Sequence, residues 1–493
     1  GYGNTAPFPS QRKAPAMLMK TASQSLTEQL CARFAERIRT RLLAPGARLP
    51  SVRQCAQQQG VSPSTVVAAY DQLLALGLVE ARKNRGFFVR NRAPAPENIA
   101  QAAIKSGAGD DGRGGFSAHH VPVNATALIR GMFHGHSELP QPGMGVFPPD
   151  WLQTPFMPAA VRKVAGSAAL QSLSLQYGDP AGDPDLRQAL SQKLTAYAIE
   201  AAPGQIVTTV GATHALDIVS RTLLRAGDCV MVEEPGWAIE FARLAALGMR
   251  ILPVPRRADG PDLEVMARYC ELHHPKLFVS VSVFHNPTGY CLTPGSAHRV
   301  LQLANAYDFP IVEDDPYSHI APDPATRLSA LDGLQRTICV GGFAKILAPG
   351  WRVGFLAAPA HLVEAFVDTK LLATLTTPAF LEKALAHCIE QGQLRRHAER
   401  IRARLDQARA RSVKLALAHG CTFATPPAGL FGWVDTGVDT DALAQRMLDG
   451  GYLLAPGALF HAQRQPSTLM RINFATTQDA QFWSQFARMR DER

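Results

Sequence analysis

The chain has 493 residues, 46% of them hydrophobic and 18% charged, which calls for two or three packed cores and excludes a disordered or fibrous protein. No uncharged apolar run reaches the roughly 18 residues that would cross a bilayer, and no charged stretch followed by an apolar one opens the chain, so no membrane partner is expected and the location expected is cytoplasmic. The net charge of +9 is lopsided: residues 1–92 hold 14 Lys/Arg against 4 Asp/Glu, while residues 93–493 hold 36 against 37, so the excess sits at one end, where a phosphate backbone would be attracted.

Residues 1–24 are polar and Pro-rich and are expected to form a disordered tail. The head expected over 25–92 opens with Ser25-Leu26-Thr27-Glu28, a capping box, and Leu26, Leu30, Phe34, Ile38 and Leu42 then recur every fourth residue as one apolar helix face. Ser51-Val52-Arg53-Gln54 offers a second capping box for a short helix that stops at Gly60. A third helix begins with Ser62 as N-cap and Pro63 in the first turn, buries Val66, Tyr70, Leu73 and Leu74, and turns Ser64 and Thr65 outward. Leu78–Arg82 and Gly86–Arg90 read as two strands around a tip carrying Lys83 and Arg85. Helix, turn, helix and basic hairpin is a winged helix-turn-helix, whose later helix enters the major groove of duplex DNA while the wing grips phosphates.

Three segments in that order, Gly46-Ala47-Arg48-Leu49-Pro50-Ser51-Val52-Arg53, Gly60-Val61-Ser62-Pro63-Ser64-Thr65-Val66 and Gly86-Phe87-Phe88-Val89, resemble the head of the GntR family. The resemblance implies DNA contacts from Arg53, Ser64 and Thr65, with Arg48, Lys83 and Arg85 on phosphates. Pro63 stands where that family often has a basic residue, so the base contacts do not carry over as a set.

Residues 93–136 are Pro-, Gly- and Ala-rich without periodicity and are expected to be a flexible linker. Over 137–493, apolar runs at Ile206–Val210, Cys229–Val232, Leu277–Val283, Pro310–Glu313, Thr337–Gly341 and Val353–Ala357 alternate with helical stretches, which predicts an α/β body with a mainly parallel sheet. Polar motifs cluster where these strands end. Gly211-Ala212-Thr213 opens a helix with free N–H groups, Trp237 could cover a flat ring, Asn286 sits in His285-Asn286-Pro287-Thr288-Gly289, Asp314 precedes Tyr317, and Lys345 is followed by Arg352. Each has a plainer alternative, with Trp237 as core, Asp314 as a helix cap and Lys345 as a surface cation; their joint order favours a ligand site. The Arg-rich run Leu394 to His419 reads as the solvated face of a long helix, with a supporting DNA contact as the alternative. The eight cysteines are scattered, with no C-x-x-C pair and no His cluster, so free thiols and no metal site are expected.

Together with Tyr177-Gly178-Asp179-Pro180-Ala181-Gly182 and Arg471-Ile472-Asn473-Phe474, these motifs resemble fold-type I aminotransferases, which carry a smaller α+β domain beside the sheet. The resemblance implies pyridoxal 5'-phosphate in a Schiff base with Lys345, Asp314 on the ring nitrogen, Asn286 and Tyr317 on the ring oxygen, and Trp237 stacked on the ring. It also implies phosphate contacts from Ala212, Thr213, Arg352 and the partner subunit's Tyr177, with Arg471 on a ligand carboxylate. Gly342 and Ala344 stand where that family usually has serine near the lysine, which removes one or two hydroxyl contacts. A GntR-like head on such a body resembles the MocR family of transcription regulators. That implies a homodimer whose body senses a small amino compound, or pyridoxal phosphate itself, and controls the grip of the heads on a double-stranded DNA operator. The alternative is a working aminotransferase that carries a DNA-binding head.

Overall fold

The computed structural model describes residues 24–90, 139–166, 168–321, 324–463 and 465–492. The expected tail up to residue 23 and the expected linker over 93–136 lie outside the described residues. By its contacts the chain forms two compact units, one holding the head together with Gln445–Leu453, the other the remainder of the body.

The head is built from α1 (Leu26–Arg39), α2 (Val52–Gln59), α3 (Pro63–Ala75), β1 (Val79–Arg82) and β2 (Gly86–Val89). Ser25 and Ser51 each form a complete capping box, and Ser62 caps α3 by accepting from the Thr65 N–H. Each cap satisfies N–H groups that a helix start leaves open, worth about 1 kcal/mol apiece. Gly60 closes α2 at φ +65°, a left-handed conformation that costs glycine little, so the chain can turn directly into α3. Leu30, Phe34, Val66, Tyr70 and Leu73 fill the core, and the Tyr70 hydroxyl donates to the Pro50 carbonyl at 2.8 Å. β1 and β2 pair antiparallel from Val79↔Val89 to Arg82↔Gly86, and Arg48 bridges to Phe88 along the free edge of β2.

The body's main sheet comprises β3 (Ile206–Val210), β4 (Cys229–Glu234), β5 (Arg250–Pro255), β6 (Leu277–Ser280), β7 (Ile311–Asp314), β8 (Thr337–Gly342) and β9 (Val353–Ala357), in the order β3-β9-β8-β7-β6-β4-β5. Six of the seven run parallel as far as their pairings define; β9 alone is antiparallel, to both β3 and β8. Its strands are buried nearly end to end, as strands sandwiched between helical layers must be, and two apolar cores form with Val230, Phe241 and Leu356 in one and Met231, Phe278 and Val300 in the other. The helices of the body include α4 (Gly211–Leu223), α5 (Ala238–Ala246) and the 26-residue α6 (Gln393–Ala418). A second, antiparallel sheet of β10 (Thr422–Phe423), β11 (Phe431–Asp435), β12 (Ala455–Pro456) and β13 (Leu469–Asn473), in the order β10-β11-β13-β12, forms the smaller α+β part. This is the α/β class expected from the alternation of motifs. All eight cysteines are free.

Candidate ligand site and nucleic-acid surface

The body site gathers where the parallel strands end. Asp314 is the last residue of β7, Lys345 follows β8, and α4 begins on the residue after β3. Arg352 precedes β9, which would put it at the far end of the sheet if that strand ran with its neighbours. Because β9 is antiparallel, the pairings Val210↔Val353 and Gly342↔Gly354 return Arg352 to the site's edge. There its guanidinium lies over the first turn of α4: a Cβ on Gly211, which holds φ +76°, would come within 2.3 Å of Arg352 Nη2. The left-handed φ favours glycine there, and any side chain would push the Arg352 guanidinium from its place over the helix start. Ala212 is half-buried and Thr213 exposed in that first turn, so open N–H groups, a hydroxyl and a guanidinium converge as an anion cradle. A Cβ on Gly342 would stand 3.7 Å from the Ala212 nitrogen, so the absence of serine there leaves the cradle open.

Asp314 Oδ1 is inaccessible and accepts no hydrogen bond. Burial, reinforced by the carboxylates of Glu240 and Asp315 and opposed by Lys345 and Arg243, pushes its pKa up to about 7. Glu240, on α5, is itself buried and held by Arg243 at 2.6 Å. The carboxylate is thus poised for a donor that brings a proton, as a ring N–H does. Burial also lowers the Lys345 amine to about 8, with Arg471 and Arg352 adding to the effect and Asp314 opposing it, so far more of it is neutral and nucleophilic near pH 7 than of a free lysine.

Arg471, on β13 opposite Trp433 and Ala455, is 1% exposed. Its Nη1 donates to Asn286 Oδ1 at 3.1 Å and its Nη2 to the Gly143 carbonyl at 2.8 Å, while Nε has no partner. The guanidinium carbon stands 4.2 Å from the centre of the Phe431 ring, 5.1 Å from Trp237 and 5.2 Å from Phe460. Among the described residues no carboxylate pairs with it, and burial lowers its pKa to about 10. A guanidinium stripped of water and left without a counter-ion is costly, and a two-oxygen anion is the partner its fork fits. Tyr317 is buried edge-on to Phe431 at 5.6 Å, and burial raises its hydroxyl pKa.

A strap over Gln141–Val146 closes this side. Lys345 Nζ donates to the Gly145 carbonyl at 2.7 Å, next to the Arg471 contact on Gly143. Asn473 holds Met144 and Val146 by their carbonyls, and Thr476 holds Gln141. The strap, Phe431 and Phe460 were missed in the sequence: the strap works through backbone carbonyls, and the two rings reach Arg471 only through long-range pairing. Of the residues expected in this site, Lys345, Asp314, Asn286, Tyr317, Trp237, Ala212, Thr213, Arg352 and Arg471 fall around it. Tyr177 does not join them in its own chain; it is 81% exposed.

In the head, Arg48, Arg53, Ser64, Lys83 and Arg85 are exposed and Thr65 is half-buried. Ser62 Oγ lies 2.8 Å from both Ser64 Oγ and Thr65 Oγ1, so three hydroxyls crown the start of α3. Arg48 reaches alongside the wing, where a Cβ on Gly86 would stand 3.5 Å from its Nε. Among the described residues none of the four cations is in an ion pair, whereas Arg82 is held by Glu80 at 2.7 Å and lies over Phe88.

Residues 145–482 match the aminotransferase class I and II family, and residues 26–89 match the bacterial regulatory proteins of the gntR family. The chain is 31% identical to the probable rhizopine catabolism regulatory protein MocR of Rhizobium meliloti, over 74% of this chain and 73% of that one. The chain belongs to the MocR family. Another relative is the uncharacterized HTH-type transcriptional regulator YisV of Bacillus subtilis, 25% identical over 88% of this chain and 90% of that one. The MocR body is also similar to the crystal structure of kynurenine aminotransferase from Pyrococcus horikoshii in complex with PMP, at a TM-score of 0.66 and 26% identity over 73% of this chain and 92% of that one.

Proposed function

We propose that this MocR-family chain is a cytoplasmic, homodimeric transcription regulator that holds pyridoxal 5'-phosphate on Lys345, binds a small amino compound beside it, and thereby alters the hold of its winged heads on an operator. The observation that carries the reading is the buried, counter-ion-free guanidinium of Arg471, tied to the same strap as the depressed amine of Lys345. When bound, the cofactor supplies an aldehyde that exchanges one amine for another and a ring that carries charge.

The chain's own residues account for the rest. The first turn of α4 and Arg352 take the phosphate, the orphaned oxygen of Asp314 keeps a proton on the ring nitrogen, and Asn286 and Tyr317 flank the ring oxygen. Arg471 orients the ligand by its carboxylate, and the aromatic walls of Trp237, Phe431 and Phe460 keep water off that contact, which strengthens it. The exposure of Tyr177 suits a residue that serves a partner subunit's phosphate. In the head, Arg53, Ser64 and Thr65 meet the DNA, while Arg48, Lys83 and Arg85 take backbone phosphates. Coupling requires only that ligand and operator prefer different or matching conformations, each then changing the other's affinity by the same factor.

The test is a spectral titration of the full chain reconstituted with pyridoxal phosphate. A visible absorbance band is expected that amino-acid addition shifts and that Lys345→Ala lacks; an identical band in that variant removes the assignment. Sustained keto-acid production in the presence of an acceptor would assign turnover, and with it the aminotransferase alternative.

A further inference from the structure

We infer that one face of α6, in the body, is a second surface for duplex DNA, which holds phosphates outside the stretch read by the heads. The inference rests on the DNA-binding reading above. Over Gln393–Ala418 the helix carries eight Lys/Arg against two Asp/Glu, whereas residues 93–493 as a whole carry 36 against 37. The rest of residues 93–493 carries 28 Lys/Arg against 35 Asp/Glu and is net acidic, whereas this one helix is net +6.

Of the eight cations of α6, Arg402 is half-buried, and the other seven fall into two groups. Arg395 pairs with Glu399, Arg409 with Asp406, and Arg404 with Asp150 while lying over Trp151. Arg396, Arg400, Arg411 and Lys414 are all exposed, and among the described residues none of them makes an ion pair. At about 100° per residue these four fall within an arc of roughly 60°, and they extend over about 27 Å of helix, the length of about eight base pairs. Exposed Gln407 lies between them, and exposed Ala403 and Ala410 border them, so no bulky side chain of the helix shades the row. The buried face of α6, with Leu394, Ile401, Leu405 and Ala408, points elsewhere.

Like charges at i,i+4, as in Arg396 and Arg400, and at i,i+3, as in Arg411 and Lys414, oppose helix formation by about 0.2–0.5 kcal/mol a pair. A face kept only for solubility has no need of that repulsion, since alternating signs serve as well. A regularly spaced row of guanidinium groups instead complements a polyanion with regularly spaced phosphates, and it does so without reading sequence.

The test compares the full, cofactor-loaded protein on an operator duplex trimmed to the head's footprint and on one extended by several helical turns, each over a range of salt. The wild type is expected to bind the extended duplex more tightly and with a steeper salt dependence. Replacing Arg396, Arg400, Arg411 and Lys414 together by Gln should leave binding to the trimmed duplex, the visible band and the thermal midpoint unchanged. On the extended duplex it should flatten the log–log salt slope by about 3 to 4. Gln407→Arg, which adds a cation to the same face, should steepen that slope by about 1. If the wild type gains nothing from the added DNA, or if neither variant moves the extended-duplex slope, the inference is overturned. Failure of the DNA-binding reading itself would look different, because the wild type would then bind neither duplex in a salt-dependent way.

Discussion

Cations in the head and in the body site share their chemistry and differ in their surroundings. Arg53, Lys83 and Arg85 stand in water, where a charge is felt over about a Debye length and each contact is weak and screened by salt. Arg471 is sealed among three rings, and Lys345 is half-buried with its amine on a peptide carbonyl, so a contact there is short-ranged, geometrically exacting and little affected by ions. One set suits a long, repetitive polyanion, the other a single small anion presented at one angle.

The sharpest way to break this contrast is to remove the buried fork. Arg471→Ala should weaken a carboxylate-bearing effector by up to about 5 kcal/mol, a loss of between about three and four orders of magnitude, followed by spectral titration with pyridoxal phosphate bound. Arg471→Lys should recover little of it, because one ammonium cannot span two oxygens. Loss of less than tenfold would mean that the ligand's acid group is held elsewhere.

The next effect tests the price of the buried acid. Asp314 titrates near 7 in the fold and near 3.8 outside it, so the folded state binds the extra proton and loses stability as pH rises between those values. Asp314→Asn should therefore stabilise the cofactor-free protein by up to about 4 kcal/mol at pH 8 and leave it unchanged near pH 4. Thermal midpoints across that range decide it, and the same variant should hold pyridoxal phosphate more weakly. A midpoint difference independent of pH would show that the carboxylate is solvated. The smallest effect belongs to the open surface: Arg53→Ala should lower operator affinity by about 1 kcal/mol, and Lys83→Ala should mainly flatten the salt slope by about 1. Binding curves at several salt concentrations separate the two.

The same division explains what could be read from the sequence. The head's three helices were legible through their caps, since Ser25, Ser51 and Ser62 each act on an N–H three residues away, and six strands of the main sheet were legible because burial on both faces demands unbroken apolar runs. β5 escaped, since Arg250-Ile251-Leu252-Pro253-Val254-Pro255 carries two prolines, tolerated here because it is an edge strand with a free side. The reversed direction of β9, which alone brings Arg352 to the site, left no mark in its residues, for a strand's pattern fixes its faces and not its sense. Lys345, Asp314 and Arg471 could be named from motif order, but the carbonyls of Gly143 and Gly145 that meet two of them carry no side-chain signal.

Those two carbonyls occupy only part of what Arg471 and Lys345 can donate. Arg471 gives one N–H to Gly143 and one to Asn286 and keeps Nε unpartnered, so a ligand acid group would meet donors already aimed by the protein's own backbone. The strap lies only a few residues after 91–138, so Lys345, Arg471, Asn473 and Thr476 between them fasten the start of the body to the site itself.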